Sequence, residues 1–170
     1  MSHQLSHQEN KFSSQSFPIT VICDHLDSPA NQGALFRVCE AFGVNNIIFF
    51  GNTIDIKSSR LKRTARSTEK LIPYSCVSDI KETIATLKQN NTRLIGLEIT
   101  SDSAAIQELT IDTQTSIALI IGSEKHGISE DILQYLDSVY HITMFGNNSS
   151  MNVIQSTGIA LYEITKKIIS

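Results

Sequence analysis

Apolar and polar residues follow one another along the chain in blocks that predict strands and helices in turn. Short apolar runs, bounded by glycine or polar residues, are typical of strands buried in a sheet. Ser116–Ile121 is the most apolar of them, so we place it at the centre of the sheet, buried on both faces. The strands predicted in this way cover residues 19–23, 46–50, 71–77, 93–99, 116–121 and 139–142.

Helices are predicted between these strands from capping residues and from apolar positions spaced three or four apart. Ser28 and Pro29 form a typical helix start, and the apolar face that follows ends at Gly43. Ser78 and Ser129 are read as the caps of two later helices. The later predictions are helices at residues 79–89, 129–136 and 153–169, a partly helical segment at 57–70, and a loop or short helix at 101–109.

Repeated strand–helix units predict an α/β fold with a mostly parallel sheet flanked by helices. The hydrophobic share of 41% over 170 residues is enough for one core, so we expect a single domain at residues 18–170. Residues 1–17 are rich in Ser, Gln, His and Asn, which is typical of a disordered tail.

Several classes of protein are disfavoured by what the sequence lacks. It contains no run of eighteen apolar residues and no apolar signal segment at its start, so we expect a cytoplasmic protein without a membrane span. The three cysteines form no CxxC pair, which argues against a zinc site or a disulfide framework. The patterns GxGxxG, GxxxxGK[ST] and GxSxG are also absent.

Charge is distributed unevenly along the chain. The net charge is −3, yet residues 57–70 carry a basic cluster opposed only by Glu69. Such a segment is either a footprint for phosphate groups or a solvated helix face, and its spacing alone does not decide between them. The cluster consists of Lys57, Arg60, Lys62, Arg63, Arg66 and Lys70.

Three polar loops lie next to predicted strands, around Asn31, at residues 122–127 and at residues 144–152. Loops of this kind offer backbone N–H groups and small polar side chains to a ligand. Because ligands of parallel sheets bind outside the carboxyl ends of the strands, we expect the three loops to form one composite site. His25 and His141, near strand ends, are interpreted as structural residues.

These loops resemble a known family. The patterns N-x-G-x3-R in Asn31–Arg37, I-G-x-E-x2-G in Ile121–Gly127 and M-x-G-x3-S-M-N-V in Met144–Val153 resemble, in order, the signature motifs of SpoU-family RNA 2′-O-ribose methyltransferases. The resemblance covers residues 18–170. It implies a SPOUT-type domain with a C-terminal trefoil knot, S-adenosylmethionine as cofactor without a metal, RNA as partner, and a homodimer with the active site near the subunit interface.

The resemblance also implies roles for individual residues. Arg37 is the family's proposed activator of the hydroxyl, but a guanidinium, which stays protonated in proteins, is better suited to clamping the neighbouring phosphate than to accepting a proton. The expected catalytic residues are Asn31, Arg37, Glu124, Ser150 and Asn152. The expected cofactor-binding residues are Leu97, Glu98, Gly122, Ile142 and Met151. The expected RNA-binding residues are Lys57, Arg60, Lys62, Arg63 and Arg66.

Three positions depart from the family pattern: Thr143 replaces a usual proline, Ile154 a usual serine, and Ser156 a small apolar residue. Ile154 therefore removes a hydroxyl from the expected active-site helix. With no further RNA-binding module expected before residue 18, a compact RNA such as tRNA is preferred over rRNA as substrate. The alternatives are a non-catalytic RNA-binding module of the same fold and a flavodoxin-like domain for another ligand.

Overall fold

The computed structural model describes residues 3, 9, 12–112, 114–148 and 150–170. The strands, β1 to β7 in chain order, are Phe17–Asp24, Val44–Phe50, Tyr74–Val77, Thr92–Leu97, Ala104–Ala105, Ser116–Ile121 and Ser138–His141. The helices, α1 to α5, are Pro29–Ala41, Ser59–Ala65, Ile80–Gln89, Glu130–Leu133 and Val153–Ile169. Two 3₁₀ helices cover Thr68–Lys70 and Ile106–Glu108.

All the strands pair in parallel in one sheet of order β3-β2-β1-β6-β4-β7-β5. The apolar strand β6 lies between β1 and β4, as its composition predicts. One face of the sheet packs against α1, α2 and α5, and the opposite face against α3 and α4. The predicted α/β class with a parallel sheet flanked by helices is confirmed.

Helix α1 begins as the sequence predicts and fixes the position of α2. The Ser28 hydroxyl accepts a hydrogen bond from the Asn31 N–H, 3.4 Å away, and Pro29 occupies the first turn. A Cβ added to Gly33 would overlap the Leu61 carbonyl oxygen, so only glycine allows α2 to approach this closely. The position of the basic cluster thus depends on a glycine of the first motif.

Five expectations need correction or stay open. The segment predicted as a loop or short helix contains the edge strand β5, because two residues are too few to show a period. Asp79 rather than Ser78 caps α3, and α4 ends at Leu133 rather than at residue 136. Most of the tail predicted at residues 1–17 lies outside the described residues, and β1 already begins at Phe17. The trefoil knot stays a prediction.

Candidate active site

The loops after β4, β6 and β7 meet at one edge of the sheet around a cavity of about 610 Å³. The lining includes three of the expected catalytic residues, Glu124, Ser150 and Asn152. It also includes Ser156, one of the positions that depart from the family pattern. The first turn of α5 forms part of the wall. The lining also includes every residue that the resemblance assigns to the cofactor, namely Leu97, Glu98, Gly122, Ile142 and Met151.

The loop after β6 forms a tight turn that shapes this cavity. Ser123 and Gly127 donate backbone hydrogen bonds to each other's carbonyl oxygens, both at 3.1 Å. A Cβ on Gly122 would overlap the Gly127 carbonyl carbon, and Gly127 itself has a φ of +66°, in the left-handed region. The Glu98 carboxylate accepts hydrogen bonds from the N–H groups of Ile99 at 2.9 Å and Ile128 at 3.1 Å. These bonds join the loops after β4 and β6.

A chain of side-chain hydrogen bonds connects the three motifs. Asn31 Nδ2 donates to Glu124 Oε1 at 2.7 Å, and Asn152 Nδ2 donates to Asn31 Oδ1 at 3.4 Å. Asn152 Oδ1 meanwhile caps α5 by accepting from the N–H groups of Ile154 at 2.9 Å and Gln155 at 3.4 Å. The cap fixes the orientation of the Asn152 amide, and the carboxylate fixes that of Asn31. We call this chain the Asn31 relay.

Arg37 lies apart from both the relay and the cavity. Its side chain is exposed on α1 and forms no hydrogen bond or ion pair among the described residues. Around the helix it lies between Gly33, which faces α2, and Val38, which packs against Gly158 of α5. A single chain therefore brings together Asn31 and the other expected catalytic residues, and leaves Arg37 on the outer surface between α2 and α5.

The basic cluster is fully presented to solvent. Leu61 and Ala65 of α2 are buried, while the basic residues are exposed and take part in no ion pair among the described residues. Charges that are neither paired nor buried remain available for phosphate groups. The exposed basic residues are Lys57, Arg60, Lys62, Arg63, Arg66 and Lys70.

A second cavity, of about 670 Å³, lies on the other side of the turn after β6. It shares Ser123, Glu124, Lys125 and Gly127 with the first cavity, and is closed by the loop between β1 and α1, including His25. The sequence alone indicates a structural residue at this position. The signal for a functional one is the group of polar residues at the end of β1 and directly after it, Asp24, His25, Asp27 and Ser28.

The structure also locates His141 and two of the positions that depart from the family pattern, Ile154 and Ser156. His141 lines the first cavity, with its Nδ1 3.0 Å from the Ser103 hydroxyl oxygen. That hydroxyl is also 3.0 Å from the Thr100 carbonyl oxygen, to which it donates, so the imidazole Nδ1 is the donor to Ser103. Ile154 is buried in the core, whereas Ser156 lines the cavity. A hydroxyl is thus retained on this helix two residues further along.

Thiol chemistry and metal binding find no support among the described residues. Burial raises the pKa of the Cys23 and Cys39 thiols, so neither is an activated nucleophile. No group of three or more His, Cys, Asp or Glu side chains in the described ranges is arranged to hold a metal ion. In the same part of the chain, no helix combines the length and the apolar character needed to cross a membrane.

A parallel sheet with loops converging outside the carboxyl ends of its strands defines an α/β ligand-binding protein with its site at that edge. The model of the SpoU rRNA methylase family matches residues 18–162, which is most of the chain. The protein belongs to this family.

Individual relatives agree with this assignment. The 23S rRNA (guanosine-2′-O-)-methyltransferase RlmB of Blochmanniella floridana is 28% identical over 150 residues, covering 88% of this chain and 58% of its own. The chain therefore spans about three fifths of that relative's length.

Two solved structures share the fold. The SpoU methyltransferase AviRb from Streptomyces viridochromogenes, in complex with AdoMet, superposes with a TM-score of 0.78 at 24% identity, covering 89% of this chain and 58% of that one. A second structure, which is described as giving insights into the 2-OH methylation of C/U34 on tRNA, superposes with a TM-score of 0.77 at 19% identity. The match covers 89% of this chain and 96% of that one.

Proposed function

We propose that the protein transfers a methyl group from S-adenosylmethionine to a ribose 2′-hydroxyl of RNA. The observation that carries the proposal is the Asn31 relay, which ties the three family motifs together beside one cavity. The family assignment supports the same activity. The cavity also fits the cofactor, because its volume of about 610 Å³ lies in the range of small-molecule sites and Gly122 permits the tight turn that shapes it.

The cofactor, when bound, supplies an activated methyl group. The residues of the chain then have to hold the accepting oxygen in line with that group and assist the departure of the hydroxyl proton. Glu124 uses Oε1 to hold Asn31, and its Oε2 forms no hydrogen bond among the described residues, so it can accept one from a substrate. Ser150 and Asn152 line the same cavity and orient the reactants.

We further propose that the protein works as a homodimer whose interface includes α5. The exposed side of this helix carries Ile159, Tyr162 and Ile169, of which Tyr162 is 57% exposed and Ile169 is 65% exposed. Spacings of three and seven place these residues on one side of the helix. A second copy covering them would lie next to the outward-facing Arg37, so that the partner's Arg37 completes the site.

The α5 interface predicts a simple effect on assembly. Tyr162→Glu places a charge in the centre of the apolar side, and we expect it to weaken dimerisation by about 30-fold or more, the usual cost at a central contact. Ala85→Glu is a matched control, since it adds the same charge to an exposed position of α3. Sedimentation equilibrium measures both; an equally stable dimer in the Tyr162 variant would contradict an α5 interface.

The basic cluster is proposed to hold RNA through its phosphates. We expect Lys62→Ala/Arg63→Ala to weaken RNA binding and to lower the slope of log K against log salt by about 1.5, since each lost phosphate contact removes about 0.7–0.9. The control is Lys81→Ala/Lys88→Ala, which removes the same charge from exposed positions of α3. Equal salt slopes in the two double variants would mean that the basic cluster is a solvated helix face and does not contact RNA phosphates.

Asn152 allows its two functions to be separated. Asn152→Ala loses the cap of α5 and should lower the free energy of unfolding by about 1 kcal/mol. Asn152→Asp keeps a capping oxygen but cannot donate to Asn31, so it should retain the stability and lose most of the methyl transfer. Thermal unfolding and turnover, measured side by side, test this; full turnover in the Asp variant would mean that the relay is not required.

Within RNA, we propose tRNA as the preferred substrate over rRNA. A compact, preformed RNA suits binding by shape and backbone, and one structure that shares the fold is described as concerning the 2-OH methylation of C/U34 on tRNA. Transfer of tritium from labelled S-adenosylmethionine to separate tRNA and rRNA fractions tests activity and preference together. Labelling of rRNA alone would reverse the preference. RNA binding without any methyl transfer would indicate a non-catalytic RNA-binding module of the same fold instead.

A further inference from the structure

The second cavity has no role in the proposed chemistry as described so far. Only the turn after β6 separates it from the cavity proposed for the cofactor, and Asn31 stands in its wall. In a nucleotide, the base is attached to the carbon next to the one that carries the 2′-hydroxyl. A ribose held near Asn31 and Glu124 therefore brings its base within reach of the second cavity.

His25 is held in this cavity in an unusual way. Its φ of +56° lies in the left-handed region, which residues other than glycine seldom adopt and which costs free energy, although histidine, like asparagine and aspartate, is enriched there. Its Nδ1 lies 2.5 Å from Oδ1 of Asp24, a carboxylate that is only 1% exposed and whose Oδ2 accepts from the Ser129 N–H at 2.7 Å. The ring also meets Phe50 edge to face, with centroids 4.9 Å apart.

These contacts fix the plane of a ring that remains half exposed, at 50% of the side chain. A fixed aromatic ring facing a cavity is the usual platform for an unstacked base. The charge of the lining disfavours a phosphate as the ligand, because the carboxylates of Asp27 and Glu124 accompany the single cation of Lys125. A neutral base fits a lining with these charges better than an anion does.

We propose that the second cavity receives the base of the acceptor nucleotide and that the imidazole ring of His25 stacks on it. The inference rests on the proposed function for its choice of ligand. The proposal assigns a substrate-binding role to His25, which belongs neither to the Asn31 relay nor to the lining of the first cavity. The base must be unpaired and turned out of its stack to enter.

Proton NMR of the histidine rings tests this without any need for turnover. The protein is first saturated with S-adenosylhomocysteine, which occupies the cofactor cavity and is expected to move the His141 signal. Cytidine, uridine and adenosine are then added in turn, with inorganic phosphate as the comparison. We expect each nucleoside, and not phosphate, to shift the His25 ring signals upfield, as stacking against a base requires.

Variants show whether the ring itself is responsible. His25→Asn tolerates the left-handed backbone but has no ring, and we expect about tenfold weaker nucleoside binding. His25→Phe keeps a ring and should retain most of the affinity. In turnover, the Asn variant should raise the KM for RNA about tenfold, with an unchanged Kd for S-adenosylhomocysteine. Amide spectra of both variants verify folding, and the Asn variant alone suffices if the Phe variant does not fold.

Two results would overturn the proposal: a nucleoside that leaves the His25 signals in place, or a phosphate ion that moves them as far as the nucleosides do. The second would define an anion site instead. If S-adenosylhomocysteine does not bind, or does not shift the His141 signals, the result counts against the proposed methyl transfer. The nucleoside titration would still test whether the second cavity binds a base.

Discussion

Arg37→Ala is expected to lower methyl transfer by about 100-fold or more while leaving the Kd for S-adenosylhomocysteine nearly unchanged. The guanidinium lies outside the cavity proposed for the cofactor and, among the described residues, forms no hydrogen bond or ion pair within its own chain. Its removal should therefore disturb neither the fold nor the cavity. Single-turnover kinetics and calorimetry on the same preparation measure the two quantities.

Arg37→Lys and Glu40→Ala serve as controls. The lysine keeps the charge but not the planar fork that binds a phosphate at two points, so it should recover only part of the rate. Glu40 is an exposed residue of the same helix and its loss should have little effect. Collapse of cofactor binding in the Arg37→Ala variant would mean that this side chain has been misplaced.

A mixed dimer tests whether Arg37 acts across the interface. The Arg37→Ala chain keeps an intact cavity, and the Asn152→Asp chain, which is expected to lose methyl transfer, keeps both the arginine and the cap of α5. If each site combines the cavity of one copy with the arginine of the other, random mixing of two inactive chains should restore about a quarter of the wild-type activity. No recovery on mixing would exclude a shared site.

Gly122→Ala is expected to weaken binding of S-adenosylhomocysteine by about ten- to a hundredfold and to lower the free energy of unfolding by about 1–3 kcal/mol. The added methyl group would overlap the carbonyl carbon of Gly127 and the backbone nitrogen of Ile128. The turn after β6 would have to move away and take the wall of the cavity with it. Calorimetry and chemical unfolding measure the two effects.

Gly146 offers a matched control from the loop between β7 and α5. A Cβ on Gly146 would meet nothing within 4 Å, and its φ is not positive, so neither close packing nor a left-handed backbone requires a glycine at this position. Gly146→Ala should therefore leave cofactor binding and stability almost unchanged. Similar losses in both variants would show that the tight turn at Gly122 is not what shapes the cavity.

The features that sequence reasoning could predict are those set by local pattern. The apolar run of β6 and the Ser28–Pro29 helix start led directly to the right elements. Loops that follow parallel strands must meet at one edge of the sheet, which is why Gly122 and Met151 line the same cavity. Each of these conclusions depends on residues close together in the chain.

The remaining features depend on contacts between distant residues. The bond between Asn31 and Asn152 joins positions 121 residues apart, and no spacing within a motif indicates it. The outward direction of Arg37 follows from how α1 packs between its neighbours. The position of the His25 ring follows from a left-handed backbone conformation, and the sequence around this residue does not predict that conformation. These contacts require the assembled sheet.

The most direct test of the account is the position of the transferred methyl group. The protein is incubated with S-adenosylmethionine carrying a deuterated methyl group and with unmodified RNA, and the digested nucleosides are analysed by mass spectrometry. The account predicts a nucleoside labelled on the ribose 2′-oxygen, absent from the Arg37→Ala reaction. A label on a base, or no label from a folded protein that binds both the cofactor and RNA, would contradict it.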